Sequence, residues 1–170
     1  MMTNSNEPQT GATQNRIELA VAVAQRIEIR NVVLTRCEAN RDSKLDLKRG
    51  GTLLQYGITE VGFAKDDESK LLCVLPTFIL KVTQERERDT ASVLSVTATF
   101  ALFYTIDSFD GLTDLDLEAF SRTNGVFNAW PYWREFAQST TARMGLESPI
   151  TLPVFRIGEE PFDDQAQTNR

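Results

Sequence analysis

Residues 124–156, with the sequence NGVFNAWPYWREFAQSTTARMGLESPITLPVFR, decide the fold of this chain. This stretch holds both tryptophans, Trp130 and Trp133, together with several other aromatic side chains. Aromatic residues bury large apolar areas and dominate the energetics of cores and interfaces. We therefore expect the rest of the chain to pack around this segment.

The pattern predicts a helix over residues 128–144. It begins near Asn128, because Pro131 is tolerated in a first turn, where its missing N–H has no partner in any case. No glycine or proline follows until Gly145, which is typical of the residue just after a helix end. Such a helix is about 25 Å long at about 1.5 Å per residue.

Apolar and aromatic residues occupy more than one face of this helix. One row runs from Phe127 through Trp130 to Ala137, and Tyr132 and Phe136 lie on a neighbouring face. Two interpretations remain open: both faces lie in the core, or one covers a sheet while the other forms an apolar surface for other chains. The candidate groove or interface residues are Phe127, Trp130, Tyr132, Trp133, Phe136 and Met144.

Composition limits the class of protein. The chain has 170 residues, enough for one domain, and a net charge of −6, which argues against nucleic acid or an anionic membrane as the main partner. No apolar run reaches the 18 or so residues that span a bilayer, so we expect no membrane insertion. The N-terminus lacks the charged start and apolar block of a signal peptide, so we expect a cytoplasmic protein.

The reactive residue types argue against an enzyme. The chain has no histidine and two cysteines, Cys37 and Cys73, which we expect to be small buried side chains. This set excludes histidine-based acid–base and nucleophilic catalysis and the usual structural zinc sites. Acidic residues at 66–68 are typical of a solvated hairpin tip, and those at 107–118 do not fit an EF-hand. No phosphate-binding glycine motif occurs, so we predict no catalytic residue, metal or cofactor.

Along the chain, the pattern predicts an α+β domain at residues 14–156. A disordered N-terminus (1–13) precedes the domain and a disordered acidic tail (157–170) follows it. The predicted elements are a helix at 14–25, strands at 26–39, 52–65, 70–84 and 93–106, a long connection at 40–51, and charged turns at 66–69 and 85–89.

The fourth strand has the clearest pattern. Its apolar residues alternate with serine and threonine, so one face is expected to take the helix and the other to be semi-polar. In the third strand, Pro76 predicts an edge position or a bulge. Thr113 with Asp116 resembles a capping box that opens a short helix before the aromatic one.

The aromatic helix and the segment that follows it resemble those of the SecB family. SecB proteins carry a similar [FW]-P-Y-x-R-E helix start, here residues 130–135 (WPYWRE), and a similar proline–valine segment, here residues 150–154 (ITLPV). The resemblance is specific over residues 124–156 and rests on strand order elsewhere. It implies a four-stranded antiparallel Greek-key sheet with a long aromatic helix on one face. It also implies a homotetrameric, ATP-independent holdase, assembled as a dimer of dimers.

The sequence also departs from that family. SecB docks the motor SecA through acidic side chains, and the matching positions here are the neutral residues Asn31, Thr35 and Ser95. The apolar C-terminal helix of SecB is replaced by the acidic tail. Some SecB-like proteins instead protect the antitoxin of a toxin–antitoxin system, and these tend to have a helix before the first strand.

The sequence therefore favours a chaperone of non-native polypeptides, which it would bind through exposed hydrophobic grooves. Its clients would be preproteins in protein export or an aggregation-prone antitoxin. The alternative is a binding or assembly module on the same fold, with one folded partner and no general holdase activity.

Overall fold

The computed structural model describes residues 9–42, 52–85, 90–146 and 148–155. The elements follow in the order α1 (Gln9–Ala24), β1 (Ile27–Arg41), β2 (Thr52–Asp66), β3 (Leu71–Glu85), β4 (Thr90–Ile106), α2 (Asp114–Phe120), a π-helical turn (Ser121–Gly125) and α3 (Val126–Arg143). Helix α1 begins five residues before the predicted Gln14, so residues 9–13 of the predicted disordered N-terminus are helical. The tail at 157–170, most of the long connection after β1 and residues 86–89 lie outside the described residues.

The four strands form one sheet in the order β1-β4-β3-β2, with every neighbouring pair antiparallel. Strands β2, β3 and β4 follow one another, and the connection after β1 takes the chain from one edge of the sheet to the other. This arrangement is the predicted Greek key, and the helices cover one face of it.

Alternation along β4 positions the core. The side chains at Leu94, Val96, Ala98 and the following even-numbered positions to Ile106 are buried, as the pattern predicts. The intervening serines and threonines are half-buried on the opposite face. Antiparallel strands share this alternation with their partners, so the whole sheet has one covered face and one open face.

Of the two alternatives predicted for Pro76, the edge position is wrong, because β3 lies between β2 and β4. The other alternative, a bulge, agrees with an irregularity in the pairing of β2 with β3 next to Pro76. Pairing of β3 with β4 passes from Val74 opposite Leu102 to Thr77 opposite Thr99, so the missing amide hydrogen of Pro76 falls in this gap. On the other side β2 has a register shift between Ile58 and Glu60. An irregular ladder accommodates a proline inside the sheet.

Helix α2 begins with the predicted capping box. The Asp116 amide donates to the Thr113 hydroxyl at 3.3 Å, and the Thr113 amide donates to the Asp116 carboxylate at 2.7 Å. Hydrogen bonds from Thr113 hold the pKa of Asp116 below its ordinary value. These contacts satisfy two N–H groups at the helix start.

The aromatic helix starts earlier than predicted. Helix α2, the π-helical turn and α3 form one helical backbone from Asp114 to Arg143, so Asn128 is not a start and Pro131 lies inside a helix. Proline offers no N–H to the carbonyl of Phe127, but both residues are exposed, so water can satisfy that oxygen. The end is as predicted: Gly145 has φ +77 and closes a Schellman motif.

The prediction of two buried cysteines is also wrong. Cys37 is exposed, because it lies on the edge strand β1 beyond the helices. Cys73 is half-buried on the open face of the sheet, and burial raises the pKa of its thiol.

Candidate functional site

Helix α3 presents three different surfaces, and the one toward the sheet is a tightly packed core. Trp133 is 0% exposed and stacks on Phe78 with ring centroids 5.6 Å apart and an interplanar angle of 11°. Trp130, 3% exposed, meets Phe78 edge-on at 5.8 Å. Both tryptophans were candidates for a groove or interface, and in this structure both are buried against the sheet. The smaller Ala129 and Ala137 let the helix approach the sheet between them.

One flank of α3 is covered by the segment at residues 148–155, which we call the strap. The strap runs antiparallel to α3 without regular secondary structure. The Thr141 hydroxyl accepts from the Ile150 amide at 3.1 Å, and Arg134 Nε donates to the Leu152 carbonyl at 2.8 Å. Further along, Trp130 Nε1 donates to the carbonyl of Pro153 at 2.9 Å. Side chains of α3 therefore form hydrogen bonds with the backbone of the strap.

An aromatic cluster closes the end of this strap flank. The Phe155 ring lies 5.3 Å from the Trp130 ring and 6.4 Å from the Phe127 ring. The Tyr56 ring of β2 lies 6.4 Å from the Trp130 ring. Phe127 remains 43% exposed, so this cluster continues from the core to the surface. Tyr56 and Phe155 belong to it although sequence reasoning did not select them as site residues.

The opposite flank of α3 is open. Tyr132 lies five positions after Phe127, which places the two side chains about 140° apart around the helix at about 100° per residue. Tyr132 is 49% exposed, and Phe136 on the same flank packs edge-on against Phe100 at 6.3 Å. Strand β1 borders this flank, since Leu34 pairs with Phe100 and is itself exposed. We call this surface the open flank.

The predicted residues are thus divided among four places: the strap flank, the open flank, the core and the C-terminal end of α3. Phe127 lies on the strap flank, Tyr132 and Phe136 lie on the open flank, and Trp133 lies in the core. Trp130 is buried between the core and the strap, since it contacts both Phe78 and Phe155. Met144 caps the C-terminal end of α3, half-buried, where its carbonyl accepts from Arg41. Their role in binding a substrate or subunit stays a prediction. The proline–valine motif was the sequence signal for the strap, but neither the motif nor the periodicity predicted the contacts between the strap and α3.

The open face of the sheet is a further exposed surface, with an apolar centre. The apolar residues there include Val33, Leu71, Cys73, Leu75, Ala101 and Phe103. Charged residues such as Glu28, Arg36 and Lys81 surround them. Asn31 and Ser95, two of the neutral positions discussed above, share this face, and the Thr35 hydroxyl donates to the Thr99 carbonyl at 3.0 Å.

The described residues offer few reactive groups. Within the described ranges, no cluster of three or more acidic or cysteine side chains is arranged to hold a metal ion. Tyr104 is buried beneath the helices, and burial raises its pKa to about 12. Among the helices in the described part of the chain, none is both long and apolar enough to cross a membrane.

Comparison with protein families finds no match, and comparison with curated proteins finds none. Among solved structures, the chain is similar to a SecB-like chaperone from Mycobacterium tuberculosis in complex with a ChAD peptide from the HigA1 antitoxin. The TM-score is 0.69 and the sequence identity is 24%, over 83% of this chain and 99% of that one. A protein of unknown function from Streptococcus agalactiae gives a TM-score of 0.28, too low to bear on the fold. The strand order, the long aromatic helix and this similarity together establish that the chain has the fold of the SecB-like chaperones.

Proposed function

We propose that the protein is an ATP-independent holdase that binds non-native polypeptides through exposed apolar surface. The observation that carries the proposal is the aromatic cluster on one flank of α3, which runs from buried Trp130 through Phe155 to exposed Phe127. Extended segments of unfolded chains bind through apolar anchors, and aromatic rings provide large contact area with few rotatable bonds. The net charge of −6 supports solubility of a chain that exposes such surface.

The client of this holdase is proposed to be an antitoxin rather than an exported preprotein. The M. tuberculosis chaperone of the same fold was solved with an antitoxin peptide, which supports this choice. Asn31, Thr35 and Ser95 are neutral, and charge-neutral positions do not provide the acidic patch that the resemblance associates with SecA docking. We therefore expect weak or no docking to SecA, and a cytoplasmic role with the antitoxin.

The open flank is proposed to be covered by further copies of this chain in a homotetramer. Ile29 and Leu34 on the edge strand β1 are exposed, as is Tyr132 on α3, and a monomer leaves these apolar side chains in water. An edge strand also offers unpaired backbone groups to a second copy. Assembly as a dimer of dimers would use both properties.

Aggregation assays test the proposed function. The purified full-length protein, without ATP, is expected to slow the aggregation of several unrelated clients unfolded by heat or reduction. Phe127→Ser is expected to weaken this effect several-fold, because it removes an exposed aromatic ring. Gln138→Ser is the matched control, since Gln138 is exposed on the same helix and polar.

Unchanged aggregation of all clients at a stoichiometric excess of the protein would refute the proposal. Suppression of one client alone would favour a module for a single partner. If Phe127→Ser and Gln138→Ser suppress aggregation equally well, the binding surface does not lie on the strap flank.

A further inference from the structure

The strap is bound to α3 in the way that binding proteins hold an extended peptide. Two strap carbonyls, those of Leu152 and Pro153, accept hydrogen bonds from side chains of α3. The Ile150 amide donates to a third side chain of this helix, the hydroxyl of Thr141. Its apolar side chains enter the structure at intervals, since Leu152 is buried and Ile150 and Phe155 are half-buried. Contacts to the main chain with pockets for some side chains are the usual features of peptide recognition.

The strap is attached less firmly than the elements around it. Among the described residues, the last backbone hydrogen bond before the strap runs from the Leu146 amide to the Thr141 carbonyl at 3.3 Å. Pro149 and Pro153 have no N–H, so the strap cannot pair fully as a strand. Thr151, Pro153 and Val154 are exposed. A segment without strand pairing, with one fully buried side chain and three hydrogen bonds to side chains of α3, opens at a lower free energy than the core strands.

Opening the strap would uncover a channel on the strap flank. Trp130 would lose the ring of Phe155, and its indole N–H and the Arg134 guanidinium would lose their carbonyl partners. An extended segment from another chain can restore these contacts with main-chain carbonyls, which every sequence has, and apolar side chains at similar intervals. These contacts do not require a charged side chain on the bound segment.

We propose that residues 148–155 occupy this peptide-binding channel in cis, and that an extended apolar segment of a client displaces them. The channel is the strap flank of α3, where Trp130, Arg134 and Thr141 form hydrogen bonds with the backbone of the bound segment. In the resting protein the strap keeps Trp130 from water. The proposal rests on the proposed holdase function for the identity of the ligand, but not for the existence of the channel.

The first experiment tests the channel without a client. The probe is a fluorescent octapeptide with the strap sequence, SPITLPVF, titrated into the full-length protein. Leu152→Ala is expected to bind it about tenfold more tightly than the unaltered protein, because affinity rises with the fraction of molecules in the open state. Leu117→Ala is the matched control, since Leu117 is equally buried but lies in α2, and it should bind like the unaltered protein. The peptide SPITSPVF, without the leucine anchor, should bind several-fold more weakly.

Equal binding of SPITLPVF by Leu152→Ala and Leu117→Ala, or no binding by either, overturns the proposal. If Leu152→Ala does not fold, Phe155→Ala gives the same test, because it removes a half-buried ring at the end of the strap and leaves the channel residues intact.

A second experiment separates this proposal from the proposed function. The same variants are compared in the aggregation assay. Tighter peptide binding without suppression by any protein would retain the channel and refute the holdase. Suppression by the unaltered protein with no difference between the variants in peptide binding would retain the holdase and refute the channel.

Discussion

The two flanks of α3 differ although one helix builds both. On the strap flank, Trp130 is covered by the chain itself and its indole N–H has a carbonyl partner. On the open flank, Tyr132 is half exposed and the neighbouring edge strand leaves Ile29 and Leu34 in contact with solvent. Both flanks are aromatic, so composition does not distinguish them. The difference comes from where the chain goes after Gly145.

This comparison shows how one aromatic helix can serve two purposes. A flank that its own chain covers stabilises the monomer, and it becomes available only when the cover opens. A flank that no described segment covers contributes little to the monomer and is available to a second copy. Substitutions on the two flanks should therefore act on different measurable quantities.

The largest expected difference is between Trp130→Ala and Tyr132→Ala. Removing the buried Trp130 should lower the free energy of unfolding by about 3–5 kcal/mol, because it leaves a cavity and unpairs the Pro153 carbonyl. Removing the exposed Tyr132 should change it by only about 0.5 kcal/mol in the monomer. Urea unfolding measures these values.

Tyr132→Ala should act instead on assembly, which sedimentation measures. If the Tyr132 variant loses as much stability as the Trp130 variant and keeps the same mass, then the two flanks are not separate surfaces.

A smaller effect is expected where α3 begins above the sheet. A Cβ added at Gly125 would lie 2.7 Å from Val74 Cγ1, so Gly125→Ala should cost about 1–3 kcal/mol through overpacking and shift both flanks together. Gly62→Ala is the control, because its added Cβ would meet Leu75 Cβ at an ordinary 4.0 Å. Thermal and urea unfolding of both variants check the prediction. A neutral Gly125→Ala would mean that the helix is not clamped at this point.

The smallest effect is expected at Thr113, where the helix that carries both flanks begins. Thr113→Ala should cost about 1 kcal/mol at pH 7, because it removes the hydroxyl of the capping box. Asp116 has a lowered pKa when folded. Its contribution is therefore present above the ordinary carboxyl pKa of about 3.9 and is lost as pH falls through the folded value. The cost of Thr113→Ala should shrink when unfolding is measured below about pH 4. If the cost does not change with pH, the hydroxyl of Thr113 stabilises the helix independently of the charge on Asp116.

Local signals made much of the fold predictable. The alternation along β4 indicated a sheet with one covered face, Gly145 marked a helix end, and the pairing of Thr113 with Asp116 marked a helix start. Each depends on neighbours in sequence, so no tertiary information was needed.

The failures concern contacts between distant residues. Cys37 was expected in the core because it lies in an apolar, strand-like run, but its burial depends on how far the helices extend over β1. Pro76 was predicted at an edge or a bulge, and sequence alone did not decide between them; it lies in a central strand beside a register shift of β2. The contacts of the strap with Trp130 and Arg134 join positions about 20 residues apart, and no periodicity reports on them.

The π-helical turn at Ser121–Gly125 has a consequence for insertions and deletions. A π-helical turn accommodates about one residue more than an α-helical turn. Without that residue, everything after it would rotate by about 100° about the helix axis. Trp133 would leave the sheet, and the separation into strap flank and open flank would be lost with all side chains unchanged. Chain length in this short turn is thus as decisive for this protein as the identity of any aromatic residue, and relatives of equal composition but different spacing here would present different surfaces.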